Sequence, residues 1–480
     1  MKGITAYGVS LPYYRIKRET IMKAMGWFNP GLAALKSGEK AVANHDEDSL
    51  TMAVAAGQSC LLDMDRSGIN ALYLASTTLP YQERSNGGIA LAALNLSPEC
   101  MTAEFGAEVK CGVTALTSAL SKEDEGSALV CASDCRLGKA GGSNESLLGD
   151  AAAAFGVGWD NVVASFEGAY SLSFDFADLR RASGDRFVRP WEERWIREEG
   201  YTKFIPQAVR RVLDKAGVDP RAVAKVIFPP MGARDHSALA KSLGLEPEQV
   251  EDPLLQTIGN AGAAHPLLML AAALEHAKPG DLIVVVGYGG GADALLLKAT
   301  DRINDLKDRS KVQRALAYRQ EMDSYTKYLS FKNMISKESG IRGEEIAVTS
   351  QSLAWREQDA VIRLAGGRCK ACGTPQYPRE RICINPRCGA VDQMEFYSFS
   401  DKKGHLFTYT ADHLTYSEDP PALYGIVDFE GGGRYWFDLT DCRLDSLRVG
   451  QSVQMTFRRK YQDEARSLCG YFWKATPCRG

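Results

Sequence analysis

Short apolar runs alternate with alanine-rich stretches throughout the first 300 residues, and this alternation leaves few folds open to the chain. The apolar runs have the length of buried strands, and the stretches between them have the length and composition of helices. Strands that alternate with helices predict an α/β fold with helices on both faces of a sheet. The predicted strands are 71–77, 127–134, 151–159, 224–230 and 281–299, and the predicted helices are 49–63, 86–95, 203–216 and 263–277.

The chain is long enough for several domains, because 480 residues exceed what one hydrophobic core usually accommodates. The alternation divides into two candidate halves, residues 1–165 and 166–300, with a break near 160–170. Residues 301–360 are charged and contain no glycine before position 340, which predicts a helical connector. The alternative is that this segment is a peripheral part of the first domain.

Four of the 12 cysteines fall within residues 369–388, as Cys-x2-Cys followed by Cys-x4-Cys. Four thiolates on glycine- or proline-containing turns suit tetrahedral zinc, whereas four free cysteines would be a coincidence of spacing. A closed set of four ligands leaves no open position for a substrate, so the predicted zinc is structural. The predicted ligands are Cys369, Cys372, Cys383 and Cys388.

Short strand-like segments follow this cysteine cluster at close spacing. They predict a zinc ribbon over 361–394 and a small OB-type β-barrel over 395–480. Such a pair of domains also suits a nucleic-acid binder. However, acidic residues are interspersed among the basic ones, and the net charge of the chain is -3. We therefore predict that the chain does not bind nucleic acid.

The remaining composition argues for a cytoplasmic protein. At 45% hydrophobic and 24% charged residues, the chain has the balance of a globular protein. No apolar run is long enough to cross a bilayer, and the N-terminus lacks the apolar core of a signal peptide. We therefore expect no membrane association.

Cys111 is a candidate nucleophile in the segment "AEVKCGVTALTSAL", residues 107–120. Small residues follow it and predict a buried helix. The N-terminus of a helix favours the thiolate form of a cysteine and so lowers its pKa. The alternative is a buried structural cysteine, and the chain has similar candidates at Cys60, Cys100, Cys131 and Cys135.

Two glycine-containing turns are candidates for oxyanion stabilisation. Asn260 lies in "TIGNAGAAHPLLMLAAAL", just before a predicted helix. Gly289, Gly290 and Gly291 lie in "VVVGYGGGADALLL", between two apolar strands. Glycine lets backbone amides approach a ligand oxygen closely, as an oxyanion hole requires. The alternative for the second turn is a tight hairpin.

Taken in order, these segments resemble the thiolase superfamily, and they are most similar to the 3-hydroxy-3-methylglutaryl-CoA synthase and ketoacyl-ACP synthase III branch. "GITAYGVSLPYYRI", "ASDCR", "GDAAAAFGVG" and "GYGGGADA" contribute to the similarity. The resemblance implies a duplicated α/β/α/β/α core, acyl-CoA thioester substrates and a homodimer. It also implies that Cys111 accepts the acyl group and that Asn260 assists it.

The segment "CKACGTPQYPRERICINPRCG" and the barrel after it have a second resemblance. They look like the rubredoxin-like zinc ribbon with OB-fold that accompanies thiolase-type enzymes. This resemblance implies acyl-CoA binding or contact with another acyl-CoA enzyme.

The chain departs from this family where a general base is expected. Pro229 occupies the place of the expected histidine, and Thr77 or Thr78 stands where hydroxymethylglutaryl-CoA synthases carry a glutamate. Two histidines, His236 and His265, are the candidate replacements.

We predict that the chain is an acyltransferase that makes or cleaves a carbon–carbon bond by Claisen-type chemistry through an acyl-cysteine. The alternatives are a non-catalytic scaffold that binds acyl-CoA for partner enzymes, and a retro-aldolase that uses a tyrosine base. Sequence patterns leave the acyl group and the direction of the reaction open.

Overall fold

The computed structural model describes residues 1–123, 125–344 and 348–478. The chain forms two compact units. The first comprises Met1–Ala43, Asp48–Gly87 and Glu99–Lys332, and the second comprises Asn44–Glu47, Gly88–Pro98 and the chain from Asn333 onward. In the described part of the chain, no helix combines the length and apolar character needed to span a membrane.

The first unit contains the strands and most of the helices of an α/β fold. Its strands are β1 (Gly3–Ser10), β2 (Tyr14–Lys17), β3 (Glu39–Val42), β4 (Ile69–Ala75), β5 (Met101–Phe105), β6 (Ser127–Asp134), β7 (Ala151–Gly158), β8 (Ala164–Ser173), β9 (Leu179–Arg180), β10 (Arg189–Pro190), β11 (Val223–Ile227), β12 (Leu282–Tyr288), β13 (Gly291–Ala299) and β14 (Gln320–Glu321). Its helices are α1 (Arg18–Met25), α2 (Ser49–Leu61), α3 (Asn86–Ala93, which runs into the second unit), α4 (Cys111–Ser121), α5 (Ser143–Leu147), α6 (Glu193–Trp195), α7 (Thr202–Ala216), α8 (Ala233–Ser242), α9 (His265–His276), α10 (Lys311–Ala317) and α11 (Tyr325–Phe331).

Nine strands form one mixed sheet in the order β11-β12-β13-β8-β1-β7-β6-β4-β5. The pairing is the same on both sides of the central β1–β8 pair. On one side β1 pairs with β7 and β7 with β6, both antiparallel, and β6 then pairs with β4 in parallel. On the other side β8 pairs with β13 and β13 with β12, both antiparallel, and β12 then pairs with β11 in parallel. The sheet therefore carries the duplication that the sequence predicts.

Helices α4 and α9 lie at the centre of the first unit. They contact each other, and each contacts strands of both halves of the sheet. Helix α2 packs on β1, β6 and β7, and α7 packs on β8, β12 and β13. Helix α9 is apolar all round and buried over nearly its whole length, as expected for a helix between two layers of strands. The two halves of the sheet form the two β layers, α4 and α9 lie between them, and α2 and α7 each pack on one half. This is the α/β/α/β/α arrangement predicted from the sequence.

The second unit is rich in β-strands. Its elements are α12 (Gly340–Glu344), α13 (Gln351–Arg356), α14 (Gln358–Val361), β15 (Ala365–Cys369), β16 (Pro375–Gln376), β17 (Met394–Ser398), β18 (Lys403–Asp412), β19 (Ala422–Phe429), β20 (Arg434–Asp438), β21 (Ser452–Asp463) and β22 (Leu468–Pro477). Strands β15 to β17 form a small sheet around the cysteines. Strands β18 to β22 form a five-stranded sheet whose two outer strands, β20 and β22, contact each other. It encloses a core that includes Trp473 and Phe457.

A buried ionic cluster, centred on Arg458 of β21, lies within the second unit. The Arg458 guanidinium pairs with the carboxylates of Asp46, Glu47 and Asp441, and the Nη1–Oε1 distance to Glu47 is 2.6 Å. Lys474 Nζ lies 2.8 Å from Asp46 Oδ2. Arg458 and its three carboxylate partners are almost fully buried. The pairing of these charges compensates for their removal from water.

Candidate active site

The first turn of α4 is attached to the second half of the sheet by Lys110. This residue precedes the helix and is buried, and its Nζ donates to the carbonyl of Leu172 at 2.9 Å and to Ser173 Oγ at 3.1 Å. Its charge is balanced by Asp293 of β13, at 3.3 Å. These contacts fix Cys111, the first residue of α4, between the two halves.

Close packing brings the start of α4 against the turn that carries Asn260. A Cβ at Gly112 would lie 2.1 Å from the carbonyl oxygen of Ala263, so only glycine allows this approach. The turn itself has a similar requirement at Gly262, whose φ is +59°. A Cβ there would lie 2.2 Å from Asp134 Oδ2 and 2.7 Å from Arg136 Nε. The turn that carries Asn260 is therefore packed against Cys111 at the start of α4 on one side and against Asp134 and Arg136 on the other.

Asp134, at the end of β6, is the central acceptor of this site. Its Oδ1 accepts hydrogen bonds from the backbone N–H of Thr77 at 2.8 Å and from the hydroxyls of Ser76, Thr77 and Thr78. Its Oδ2 accepts from the backbone N–H of Ala263 at 2.8 Å. Thr77 and Thr78, one of which is expected at the position of the glutamate of hydroxymethylglutaryl-CoA synthases, thus bind a carboxylate that comes from another strand.

The side-chain amide of Asn260 is held from both ends. Its Oδ1 accepts from Arg136 Nη2 at 2.8 Å and from the backbone N–H of Gly262 at 3.0 Å. Its Nδ2 donates to the carbonyl of Pro230 at 2.9 Å. Asn260 is partly exposed, so the amide can reach a ligand.

Cys111 is only 2% exposed, and its environment does not match the expectation of a lowered pKa. Burial raises the pKa of the thiol well above its usual value, and the carboxylates of Asp134 and Glu108 raise it further, whereas the charge of Arg136 lowers it. A helix N-terminus contributes only about 0.3–1 kcal/mol. Burial can shift a pKa by up to ~3–5 units, at about 1.36 kcal/mol each, and outweighs the helix.

The two candidate histidines differ in what their ring nitrogens do. In His265, Nδ1 accepts from the backbone N–H of Ala261 and Nε2 donates to the carbonyl of Pro253, at 3.1 and 2.8 Å. His236 stacks on Phe228, with ring centroids 4.3 Å apart. Its Nε2 is buried and has no hydrogen-bond partner among the described residues. Burial lowers the pKa of each histidine to about 4.

Gly289, Gly290 and Gly291 form the tight turn between β12 and β13. The Gly289 amide donates to the carbonyl of Gly291 at 3.1 Å, and the carbonyl of Gly290 accepts from the amide of Phe174 at 2.8 Å. The hairpin geometry therefore uses part of the turn's backbone, and a role in oxyanion binding stays a prediction.

The four cysteines of the second unit lie together. Their Sγ atoms are all within 4.8 Å of one another, and the Cys369–Cys388 and Cys372–Cys383 distances are 3.8 and 3.6 Å. Zinc–sulfur bonds of about 2.3 Å in a tetrahedron would place the sulfur atoms about 3.8 Å apart. The four thiolates thus fit zinc, which orders the turns of the ribbon.

Two residues of this site, Asp134 and Arg136, are not among the candidates that the sequence supplies. They lie in "ASDCR", which contributes to the family resemblance without indicating a role. The available signal is a pair of opposite charges directly after a buried apolar strand, since such charges are rarely buried without a partner.

Comparison with known families supports the fold and both units. Residues 213–298 match the 3-oxoacyl-[acyl-carrier-protein] synthase III C-terminal family. Residues 356–395 match the ChsH2 rubredoxin-like zinc ribbon domain, and residues 398–458 match the ChsH2 C-terminal OB-fold domain. Together with the duplicated sheet, these matches place the chain in the thiolase-like class, with a ChsH2-type zinc ribbon and OB-fold.

The full-length relatives narrow this class. The chain is 30% identical to the hydroxymethylglutaryl-CoA synthase of Methanopyrus kandleri over 345 residues, which cover 69% of this chain and 97% of that protein. It is 30% identical to the enzyme of the same name from Methanocaldococcus jannaschii, over 70% of this chain and 99% of that protein. The chain belongs to the hydroxymethylglutaryl-CoA synthase family.

Solved structures show the same fold. "Crystal structure of HMG_CoA synthase complexed with CoA" matches with a TM-score of 0.61 and 18% identity, over 73% of this chain and 95% of that chain. "MvaS in complex with 3-hydroxy-3-methylglutaryl coenzyme A" matches with a TM-score of 0.59 and 20% identity, over 69% and 91%. The 3-oxoacyl-[acyl-carrier-protein] synthase III of Aquifex aeolicus matches with a TM-score of 0.54 and 22% identity, over 62% and 100%.

Proposed function

We propose that the protein forms or cleaves a carbon–carbon bond between acyl-CoA units through an acyl-Cys111 intermediate. The Cys111 sulfur attacks the thioester carbonyl, a new thioester bond forms, and coenzyme A leaves as its thiol. The enolate of a second acyl thioester then attacks the acyl-cysteine and releases the Cys111 sulfur. The reverse sequence cleaves a β-keto thioester.

The arrangement of Cys111 and Asn260 around one turn carries this proposal. The two residues come from different halves of the first unit, and Gly112 allows the start of α4 to approach the Asn260 turn closely. An amide donor next to a nucleophile can stabilise the negative charge that develops on the thioester oxygen. Asn260 is the proposed donor, and the backbone of Gly289–Gly291 is a further candidate.

His236 is the better candidate for the proton acceptor. Its lowered pKa keeps the ring neutral at pH 7, and its Nε2 is not engaged by any described residue. The ring lies on Phe228, two residues before Pro230, whose carbonyl holds the amide of Asn260. In His265 both ring nitrogens already have partners, which suits a residue that stabilises the turn.

An arginine-rich segment is a candidate for contacts with the phosphates of coenzyme A. Residues 180–197 contain six arginines, among them Arg181, which bonds to the carbonyl of Thr77 beside the site. Arg180 lies over the half-exposed ring of Trp191, 5.2 Å from its centroid. One guanidinium group can donate two parallel hydrogen bonds to two oxygens of a phosphate, which suits this task.

A scaffold that binds acyl-CoA without turnover is the second candidate, and the raised pKa of Cys111 favours it. A tyrosine base is disfavoured near the site, because burial raises the pKa of both Tyr201 and Tyr288 above the usual value. A homodimer and a partner enzyme stay predictions. Light scattering of the purified protein measures whether it is a dimer.

Mass spectrometry of the intact protein after incubation with a panel of acyl-CoAs tests the proposal. We expect a mass increase equal to the acyl group on the peptide that contains Cys111, and none in Cys111→Ser. Binding of acyl-CoA without acylation or turnover would support the scaffold instead. Carbon–carbon cleavage that survives Cys111→Ala would support a retro-aldolase.

Exchanging the two histidines separately tests the choice of base. We expect His236→Gln to lower kcat about 10²–10⁴-fold with little change in acylation of Cys111. His265→Gln is the matched control, and we expect it to lower the melting temperature more than it lowers kcat. Equal kcat in wild type and His236→Gln would refute the assignment of His236.

A further inference from the structure

Arg136 is a buried cation beside the turn of Asn260, and the mechanism above does not use it. The residue is 4% exposed, although it follows β6 directly and arginine is seldom buried. Its Nε has no hydrogen-bond partner among the described residues. A buried guanidinium with an unused donor is expensive to keep, so it needs an explanation in terms of its surroundings.

The first surrounding group is the amide of Asn260. Arg136 Nη2 lies 2.8 Å from Asn260 Oδ1 and 3.4 Å from the backbone carbonyl of the same residue. An arginine carries only donors, so the group that faces it must be the amide oxygen rather than the amide nitrogen. The Nδ2 group therefore points the other way, where one N–H is donated to Pro230 and the second is left for a ligand.

The second surrounding group is the carboxylate of Asp134, which compensates the guanidinium only in part. Arg136 Nε and Asp134 Oδ2 are 3.9 Å apart, beyond hydrogen-bond distance. Asp134 receives its hydrogen bonds from Thr77, Thr78, Ser76 and Ala263 instead. Part of the positive field of Arg136 is thus available to another anion in the site.

The charged and titratable groups that face Cys111 are few. Asp134, Glu108 and Arg136 act on the thiol, and Arg136 alone among these three favours the thiolate. The side chain of Lys110 turns away to Asp293, and both ring nitrogens of His265 are bonded to backbone groups.

We propose that Arg136 is a positioning residue of the reaction, which orients the Nδ2 of Asn260 toward the thioester oxygen and stabilises the Cys111 thiolate by its charge. This inference rests on the proposed function of Cys111. It assigns to Arg136 two tasks that His236, the proposed proton acceptor, does not perform: a positive charge near the thiol and the orientation of the Asn260 amide.

Alkylation of Cys111 by iodoacetamide, followed over pH by peptide mass spectrometry, reads the thiolate directly. We expect the midpoint of the pH–rate profile to rise by about one pH unit or more in Arg136→Met, because an opposite charge is lost. Arg136→Lys keeps the charge and restores most of the profile. Arg221→Met, at an exposed arginine, is the matched control and keeps the wild-type profile. An unchanged midpoint in Arg136→Met overturns the proposal.

Measuring acyl transfer distinguishes the orientation of Asn260 by Arg136 from the effect of its charge on Cys111. Lysine lacks the planar fork of arginine, so Arg136→Lys is expected to keep the alkylation profile but to lower kcat at least about tenfold with little change in KM. If Arg136→Met does not fold, Arg136→Lys alone decides, and wild-type kcat in it overturns the orienting role. Cys111 that is alkylated but never acylated by any acyl-CoA refutes the proposed function instead, and the alkylation midpoints still test the charge of Arg136.

Discussion

At the scale of single residues, the site depends on two glycines, Gly112 and Gly262, because a side chain at either position would clash with a neighbour. Gly112 allows the start of α4 to approach the Asn260 turn, and Asp134 and Arg136 fill the space that the absent side chain of Gly262 leaves. A methyl group at either position would displace residues that we propose act on the same thioester.

Gly112→Ala should reduce both stability and acylation. The new Cβ would lie 2.1 Å from the carbonyl of Ala263, and such overpacking costs about 1–3 kcal/mol. Urea denaturation measures the loss, and the rate of Cys111 acylation follows the displacement of the helix. Gly68→Ala is the matched control, because no atom lies within 4 Å of its Cβ. Equal stability of the two variants would show that α4 can shift without cost.

Lys40 predicts a pH dependence of stability. It is buried on β3, where it donates to the carbonyl of Glu145 and to the hydroxyl of Tyr328, and burial lowers its pKa to about 7. The unfolded chain, with a higher pKa, binds more protons between pH 7 and about 10.5. The free energy of unfolding therefore rises with pH in this window, by about 2 kcal/mol from pH 7 to pH 9.

Denaturation of Lys40→Met at pH 7 and pH 9 checks this dependence. We expect the variant to lack the rise that Lys40 contributes to wild type. Lys36→Met changes an exposed lysine nearby and should retain the wild-type pH dependence. The same rise in Lys40→Met and wild type would contradict the assignment.

At the scale of elements, apolar runs and alanine-rich stretches suffice to predict most of the first unit. The predicted strand 127–134 is β6, and the predicted helices 49–63 and 203–216 correspond to α2 and α7, because burial dictates their composition. The run 281–299 is instead two strands around Gly289–Gly291. Asp134 and Arg136 could not be assigned, since their roles come from pairings with Thr77 and Asn260, which are remote in sequence.

The zinc ribbon makes a prediction about metal removal. Four thiolates held together without zinc would repel one another, and three short strands offer little else to stabilise their turns. Cys383→Ser should lower the zinc content from about one ion per chain and expose residues 369–388 to proteases. Cys478→Ser, outside the cluster, is the control and should keep the metal. Full zinc content in Cys383→Ser would exclude Cys383 as a ligand.

At the scale of the whole molecule, the second unit consists of three separate segments of the chain. Sequence patterns predict continuous ranges for the ribbon and the barrel, because local periodicity contains no information about which distant segments pair. Asp46 and Glu47 attach the segment Asn44–Glu47 to the second unit, because their carboxylates neutralise Arg458 of the barrel.

Arg458→Met tests the weight of this ionic cluster. It would leave the carboxylates of Glu47 and Asp441 buried without their cation and Asp46 with Lys474 alone, which is expected to cost about 3–5 kcal/mol. Arg434→Met is the matched control on the same sheet, because its pair with Asp428 is half-exposed and contributes about 0–1 kcal/mol. Urea denaturation followed by tryptophan fluorescence, to which the buried Trp473 contributes, measures both losses. Similar losses would mean that the cluster tolerates an uncompensated charge.

The order of synthesis gives this cluster a further consequence. Asp46 and Glu47 are synthesised long before Arg458. Their carboxylates therefore stay hydrated until the barrel strand that carries Arg458 has been translated. A truncated chain that stops before β21 would carry these acids without the counter-ions Arg458 and Lys474. The ionic cluster is therefore complete only after β21 and β22 have been synthesised.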